Sequence, residues 1–191
     1  MQRLGPILGS IGADPRDVRR IFIDETMMNL GGTPAWIWVA FEPDLRAMLD
    51  FHASPRGNSI DAYLFIGRLV RRCGRVPIYT DGAGWCADAC RWAGAERAVH
   101  DRPLRNLMGR VVQYVKEGTE AFDDPFPVGG RGPRSRRTFE RMLNWLSAFM
   151  FMHDFVFEDG DLGRPPLGWR EWMPRGWTCC ARSSRSGRGW A

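Results

Sequence analysis

The chain has 191 residues, a hydrophobic content of 44% and a net charge of +5, which allow one compact domain with tails. Its five cysteines are odd in number and irregularly spaced, unlike the disulfide framework of a small secreted protein. No apolar run approaches the ~18 residues of a membrane-spanning helix and no signal peptide is recognisable, so we expect a cytoplasmic protein. Arginine supplies nearly all the positive charge, which permits nucleic-acid binding but is equally typical of a GC-rich genome.

An antiparallel meander is predicted first along the chain. Segments rich in β-branched, aromatic and other apolar residues predict strands over 19–25, 35–42 and 46–53. Gly31-Gly32 and residues 42–44 supply the turns between these strands.

After the meander the chain alternates between helical and extended patterns. The predicted elements are a helix over 59–73, a strand over 76–81, a helix over 83–94, a short strand over 97–100, and helices over 103–122 and 134–157. The order βββ-α-β-α-β-α-α predicts an α/β fold, a mixed five-stranded sheet with helices on its faces, which is the ribonuclease H-like order.

Three regions are expected: a remnant of an N-terminal helical region with a linker at 1–18, a core at 19–157, and a tail at 158–191. Residues 162–191 hold six arginines and four tryptophans against one acid, with no apolar periodicity, so we expect the tail to be disordered. Interleaved arginine and tryptophan can stack on nucleic-acid bases, whereas the alternative is a degenerate or frame-shifted end.

Two aspartates lie at the ends of predicted strands. Asp24 ends the first strand and Asp81 ends the fourth, and these two strands are neighbours in a ribonuclease H-like sheet. Two carboxylates at such a short distance repel each other unless a cation lies between them. Oxygen ligands of this kind suit magnesium or manganese. We therefore predict a metal site at Asp24 and Asp81, with Glu25 on the other face of the sheet in a structural or surface contact. The alternative for either residue alone is a turn aspartate.

Five segments together resemble a known family: "IDET" at 23–26, "AWIWVAFEPD" at 35–44, "SPRGNSIDAYLFI" at 54–66, "VPIYTDGAGWCADA" at 76–89 and "LRNLMGRVVQYVKEGTEAFDDPFP" at 104–127. The chain resembles the DDE transposases of bacterial and archaeal insertion sequences, whose integrase-type catalytic core is ribonuclease H-like, over roughly residues 19 to 155. The resemblance implies metal-dependent DNA strand cleavage and transfer with Mg²⁺ or Mn²⁺. It also implies an N-terminal helix-turn-helix region, which this chain begins too late to contain, so we expect an N-terminally truncated member.

The resemblance assigns the first two catalytic acids to Asp24 and Asp81 and departs from the family at the third. The family's glutamate, in a pattern like N-x-x-E-R, falls on Gly109, and a family arginine in K-x-R-T-E falls on Gly118. Glu117 lies eight residues after Gly109, about 12 Å along a helix, too far to replace the missing acid. We therefore predict a broken triad and an impaired enzyme, and the alternative is a non-catalytic DNA-binding or subunit-interaction remnant.

Basic residues form the predicted DNA-binding set, for transposon ends and target DNA. Its members are Arg56, Arg110, Lys116, Arg131, Arg134, Arg136 and Arg137. In the transposase interpretation they contact phosphates, and a solvated loop and helix start is the alternative for the last four. The resemblance also implies a homodimer or higher oligomer.

The remaining cysteines and histidines give weaker predictions. Cys86 and Cys90 are one helical turn apart with His100 downstream, which allows a zinc corner, but small buried cysteines explain the pattern better. His52 and His153 lack a partner placed for nucleophilic catalysis, so we expect structural or surface roles.

Overall fold

The computed structural model describes residues 12–30, 33–99, 109–117 and 134–167. Within these ranges lie five strands: β1 (Ile21–Leu30), β2 (Thr33–Glu42), β3 (Ala47–Ser54), β4 (Ile78–Thr80) and β5 (Arg97–Val99). Four helices accompany them: α1 (Ser59–Cys73), α2 (Gly84–Ala93), α3 (residues 109–117) and α4 (Arg134–Phe155).

The strands form one mixed sheet in the order β3-β2-β1-β4-β5. The β1–β2 and β2–β3 pairs are antiparallel, whereas β1–β4 and β4–β5 are parallel. This confirms the predicted α/β class with a five-stranded sheet flanked by helices. A parallel pair needs a crossover, and α1 and α2 provide the two crossovers that bring β4 and β5 to the same edge.

β1 extends five residues beyond its predicted end, to Leu30. The polar residues from Asp24 onward break the apolar pattern on which the prediction relied. They remain in strand conformation because β2 pairs with them along the whole length, from Phe22 opposite Phe41 to Leu30 opposite Thr33. Strand pairing here overrides the local composition.

Alternate side chains of β1 enter two separate cores on the two faces of the sheet. Ile21 and Ile23 pack in one core with Phe65 and Leu69 of α1 and with α2 residues. Phe22 packs in the other core, with residues of α3 and α4. The ring of Phe22 also stacks on Tyr79 of β4, with ring centroids 4.7 Å apart. Each face of β1 is therefore fixed by packing, which determines where its acidic residues lie.

Residues 158–167 continue the folded part beyond α4. Arg46 Nε donates to Asp159 Oδ2 at 2.7 Å, and Leu167 is buried, its N–H donating to the Asp154 carbonyl at 2.7 Å. This part of the predicted tail is thus attached to the core by ion pairs of Arg46 and by the buried residues Pro166 and Leu167, without any periodic pattern. The rest, 168–191, lie outside the described residues.

The N-terminal linker is likewise described only from residue 12. Ala13 and Val18 are buried in the core that contains α1. Among the helices that the structure describes, none has the length and apolarity needed to cross a membrane.

Candidate metal centre

The parallel pairing of β1 and β4 sets the frame of the candidate site. Ile21 lies opposite Ile78 and Phe22 lies opposite Tyr79. Asp24 lies two residues after Phe22 in β1, and Asp81 lies two residues after Tyr79, directly beyond the end of β4. The two strands are therefore adjacent, as the predicted pairing of these aspartates requires.

Asp24 lies on the same face of β1 as Phe22, by strand alternation. This is the face covered by α3 and α4. Its Oδ1 accepts a hydrogen bond from the N–H of Glu25 at 2.9 Å. Asp24 thus lies on the side of the sheet that carries α3, the helix containing Gly109.

Asp81 is held by the turn between β4 and α2. Its Oδ1 accepts the N–H of Ala83 at 2.9 Å. Its carbonyl accepts two further hydrogen bonds, from Thr80 Oγ1 at 2.9 Å and from Arg97 Nη2 at 2.8 Å. An aspartate that bonds the backbone two residues later is a local turn, so Asp81 is the turn residue as well as a candidate ligand.

Glu25, on the opposite face of β1, is part of a compact group of possible ligands. One ligand atom from each of Glu25, Asp81 and Cys86 lies within 4.8 Å of the others. Trp85 Nε1 donates to Glu25 Oε1 at 3.0 Å. Glu25 Oε2 is buried and has no hydrogen-bond partner among the described residues. Sequence reasoning missed the proximity of Glu25 to Asp81.

Burial and mutual repulsion disfavour the state in which Glu25, Asp81 and Cys86 are all negatively charged. Burial, followed by the charge of Asp81, raises the pKa of Glu25 to about 7. Burial and then the carboxylates of Glu25 and Asp81 also raise the pKa of the Cys86 thiol. A divalent cation would offset this repulsion and satisfy Glu25 Oε2.

Gly109, the position where the resemblance implies a glutamate, is exposed on α3. A Cβ added there would meet no atom within 4 Å, so a larger side chain has room. Glu117, at the other end of this segment, accepts a hydrogen bond from Gln113 Nε2 at 2.7 Å.

The predicted DNA-binding residues are divided among different layers. Arg110 is exposed on α3 and borders a cleft of about 450 Å³ that Tyr114 and Asp159 also line, and Lys116 is exposed further along α3. Arg56 is exposed in the loop before α1, the helix that packs on the other face of the sheet. Of the remaining four, Arg134, Arg136 and Arg137 fall in the first turns of α4, and Arg131 lies outside the described residues.

The other cysteine and the two histidines are packed in the described structure. Cys90 is buried, burial raises its pKa to about 11, and it is not in the group formed by Cys86; His100 lies outside the described residues. The His52 ring lies near the rings of Trp38 and Phe65, with centroid distances of 5.6 and 6.0 Å. His153 Nδ1 lies 2.8 Å from Asp154 Oδ1.

Comparison with known proteins identifies the fold. No protein-family model matches the chain. The solved structures most similar to it include the simian T-cell lymphotropic virus intasome in complex with PP2A regulatory subunit B56 gamma, with a TM-score of 0.58 and 14% identity over 93% of this chain and 64% of that chain. They also include the HTLV-2 integrase catalytic core domain in complex with magnesium (trimeric form), with a TM-score of 0.54 and 11% identity over 83% of this chain and 99% of that chain. The chain has a ribonuclease H-like fold.

One curated protein is similar to this chain in sequence. Uncharacterized protein MJ0017 of Methanocaldococcus jannaschii is 27% identical over 137 residues, which are 71% of this chain and 61% of the relative. The chain therefore spans about three fifths of the length of this relative.

Proposed function

We propose that this chain is a DDE-type transposase of the insertion-sequence class, built for cleavage and transfer of DNA strands and impaired at its third acidic position. The observation that carries the proposal is the parallel pairing of β1 with β4, because β1 contains Asp24 and Asp81 directly follows β4. The fold shared with retroviral integrase catalytic cores supports the same reaction class.

In this proposal Asp24 and Asp81 hold Mg²⁺ or Mn²⁺. Such ions, when bound, activate the attacking oxygen and stabilise the leaving oxygen of a phosphodiester. Asp24 belongs to β1, which is packed on both faces, and the Asp81 side chain is held in the turn after β4 by the N–H of Ala83. The HTLV-2 integrase core was solved with magnesium, which favours the same class of ion here.

Gly109 removes the third carboxylate from the face on which Asp24 lies. Loss of one such electrostatic group typically costs about 100-fold or more in rate. Glu117 does not replace it, since it lies about 12 Å further along the helix axis and is already bonded to Gln113. We therefore propose weak metal binding and low or no strand transfer by the chain as it stands.

For DNA binding we propose phosphate contacts from the exposed side chains of Arg110 and Lys116 on α3. Arg131, Arg134, Arg136 and Arg137 would extend this surface, and Arg56 would meet DNA from the other layer. Such contacts position a nucleic acid without reading its sequence. Assembly as a homodimer or higher oligomer on DNA is part of the proposal, because the solved neighbours are a trimeric form and an intasome.

The test is manganese-dependent strand transfer on a branched DNA substrate that needs no recognition of transposon ends. The chain as it stands is compared with Gly109→Glu and with Gly109→Gln. Glutamine has about the same size as glutamate but no charge. Because a Cβ at Gly109 meets nothing within 4 Å, neither change should disturb packing. We expect Gly109→Glu alone to gain about 100-fold or more, and Asp24→Asn or Asp81→Asn to remove that gain.

Two results would overturn the assignment. Equal activity of the unaltered chain and Gly109→Glu would mean that a different carboxylate completes the site. Inactivity of all variants, with correct folding shown by circular dichroism, would refute a DDE site at these residues.

A second candidate function is non-catalytic DNA binding, favoured by the exposed glycine that stands where α3 would need an acid. This function predicts DNA affinity that falls steeply with salt concentration, and no metal-dependent cleavage. The slope of log affinity against log salt concentration should decrease in magnitude by about one for each phosphate-contacting residue removed. Arg110→Ala and Lys116→Ala should each reduce the slope, whereas Arg91→Ala, an exposed arginine paired with Asp88 on α2, should not. An unchanged slope in both α3 variants would exclude this surface.

A further inference from the structure

We propose that Glu25, Asp81 and Cys86 form a site for a thiophilic divalent ion of the zinc class, distinct from the Asp24 side of β1. Their ligand atoms lie within 4.8 Å of one another, and β1, the turn after β4 and α2 each contribute one of them. This site lies on the face covered by α1 and α2, whereas Asp24 lies on the face covered by α3 and α4. Asp81 is common to this site and to the one in the proposed function.

One buried oxygen without a hydrogen-bond partner points to a ligand at this position. Glu25 Oε2 is buried and has no hydrogen-bond partner among the described residues. Cys86, whose sulfur lies within 4.8 Å of a Glu25 oxygen, is 1% exposed. Buried polar atoms without partners are rare, and a bound ion is one of the few explanations for one that lies beside a buried thiol.

The donor set selects the class of ion. A thiolate is a soft ligand, which zinc and cadmium accept and magnesium does not, and carboxylate oxygens complete many zinc sites. In a tetrahedral zinc site a sulfur and an oxygen ligand are about 3.6 Å apart, from bond lengths of about 2.3 and 2.1 Å. Since the ligand atoms lie within 4.8 Å of one another, the separations exceed this value by at most about 1 Å, a movement that carboxylate rotamers can supply.

The protein already orients both carboxylates. Trp85 Nε1 holds Glu25 Oε1 at 3.0 Å, and the Ala83 N–H holds Asp81 Oδ1 at 2.9 Å. Outer-shell donors of this type fix the direction of a metal ligand. On binding, the Cys86 sulfur forms a bond to the ion and releases its proton to water, and the nearby guanidinium of Arg97 offsets part of the remaining negative charge. A fourth position stays open for water.

Cadmium is the probe, because a cadmium–thiolate bond gives an ultraviolet charge-transfer band. The full chain is used in a Cys179→Ser, Cys180→Ser background, which removes the two adjacent thiols near its end. We expect one equivalent of Cd²⁺ to produce the band, Cys86→Ser to remove it, and Cys90→Ser to retain it. Cys90 is the matched control, since it is equally buried, on the same helix and outside the group. Glu25→Gln should weaken cadmium binding by at least about tenfold.

Any of three results would overturn the proposal. The band survives in Cys86→Ser, it disappears equally in Cys90→Ser, or it does not form in the background chain. Thermal unfolding of each variant without metal checks that the fold is intact, and Cys86→Ala serves if Cys86→Ser does not fold. Asp24→Asn separates the two sites: it should leave the cadmium band unchanged while abolishing strand transfer in Gly109→Glu. Loss of the band in Asp24→Asn would place the ion in the other site and refute this one.

Discussion

Glu25→Gln should change how the stability of the protein depends on pH. Burial and the charge of Asp81 raise the pKa of Glu25 from its usual 4.5 to about 7 in the folded chain. The folded state therefore holds this proton more tightly than the unfolded state does. By linkage, this group's contribution to stability is lost as pH rises from about 4.5 through about 7. Glutamine stays neutral and can still accept the hydrogen bond of Trp85, so the variant should lack this loss.

The size of the effect follows from the shift. Raising the pKa from 4.5 to about 7 corresponds to about 3 kcal/mol if it acts in full. Glu25 is only half-buried, and solvent screening reduces the effect to about 1–2 kcal/mol. The advantage of Glu25→Gln over the unaltered chain should grow by that amount between about pH 5 and pH 8.

Urea unfolding at both pH values, in EDTA so that no ion compensates the charge, measures this difference. Glu96→Gln is the matched control, because Glu96 is exposed and should give the same difference at both pH values. If Glu25→Gln and the unaltered chain differ equally at both pH values, the proximity of Glu25 to Asp81 does not have the energetic effect derived from the structure.

Two further predictions concern packing and hydrogen bonding. Asp154→Ala should destabilise the chain by about 2–4 kcal/mol in chemical denaturation. The reason is that the buried Asp154 carboxylate accepts the Met48 N–H at 2.9 Å, so the variant leaves this donor buried and unpaired. A loss of stability below about 0.5 kcal/mol would contradict this reasoning. Gly57→Ala should cost about 1–3 kcal/mol, since its added Cβ would lie 2.6 Å from the Trp36 ring. Gly82→Ala, with no atom within 4 Å, should be nearly neutral, and equal melting temperatures of the two variants would refute the steric argument.

The sequence predicted the order and type of the elements because their local signals agree with their pairing. α1 runs over the predicted residues, since Asn58 caps its start by accepting the N–H groups of Ile60 and Asp61, and Gly74 ends it with φ 78. Alternation along β1 assigns Asp24 and Glu25 to opposite faces, and the hydrogen bond of Glu25 to Trp85 of α2 agrees with the face assigned to Glu25. The roles of Asp24, Asp81 and Gly109 remain predictions.

The grouping of Glu25, Asp81 and Cys86 could not be predicted from local pattern. Alternation would keep Asp81 on the face of Tyr79, but β4 ends at Thr80 and the chain turns there. The Ala83 N–H then fixes the side chain of Asp81 where it meets Glu25. This geometry depends on one turn, which residue types alone do not specify.

The attachment of α4 and residues 158–167 to β3 has a consequence for the order of folding. The hydrogen bonds from Met48 to Asp154 and from Arg46 to Asp159 join positions 106 and 113 residues apart. The β1–β2–β3 meander, in contrast, closes through short turns, so its contacts cost far less chain entropy. We therefore expect the meander to form early and the α4 contacts to form after the main barrier. Asp154→Ala would then accelerate unfolding and leave the folding rate nearly unchanged.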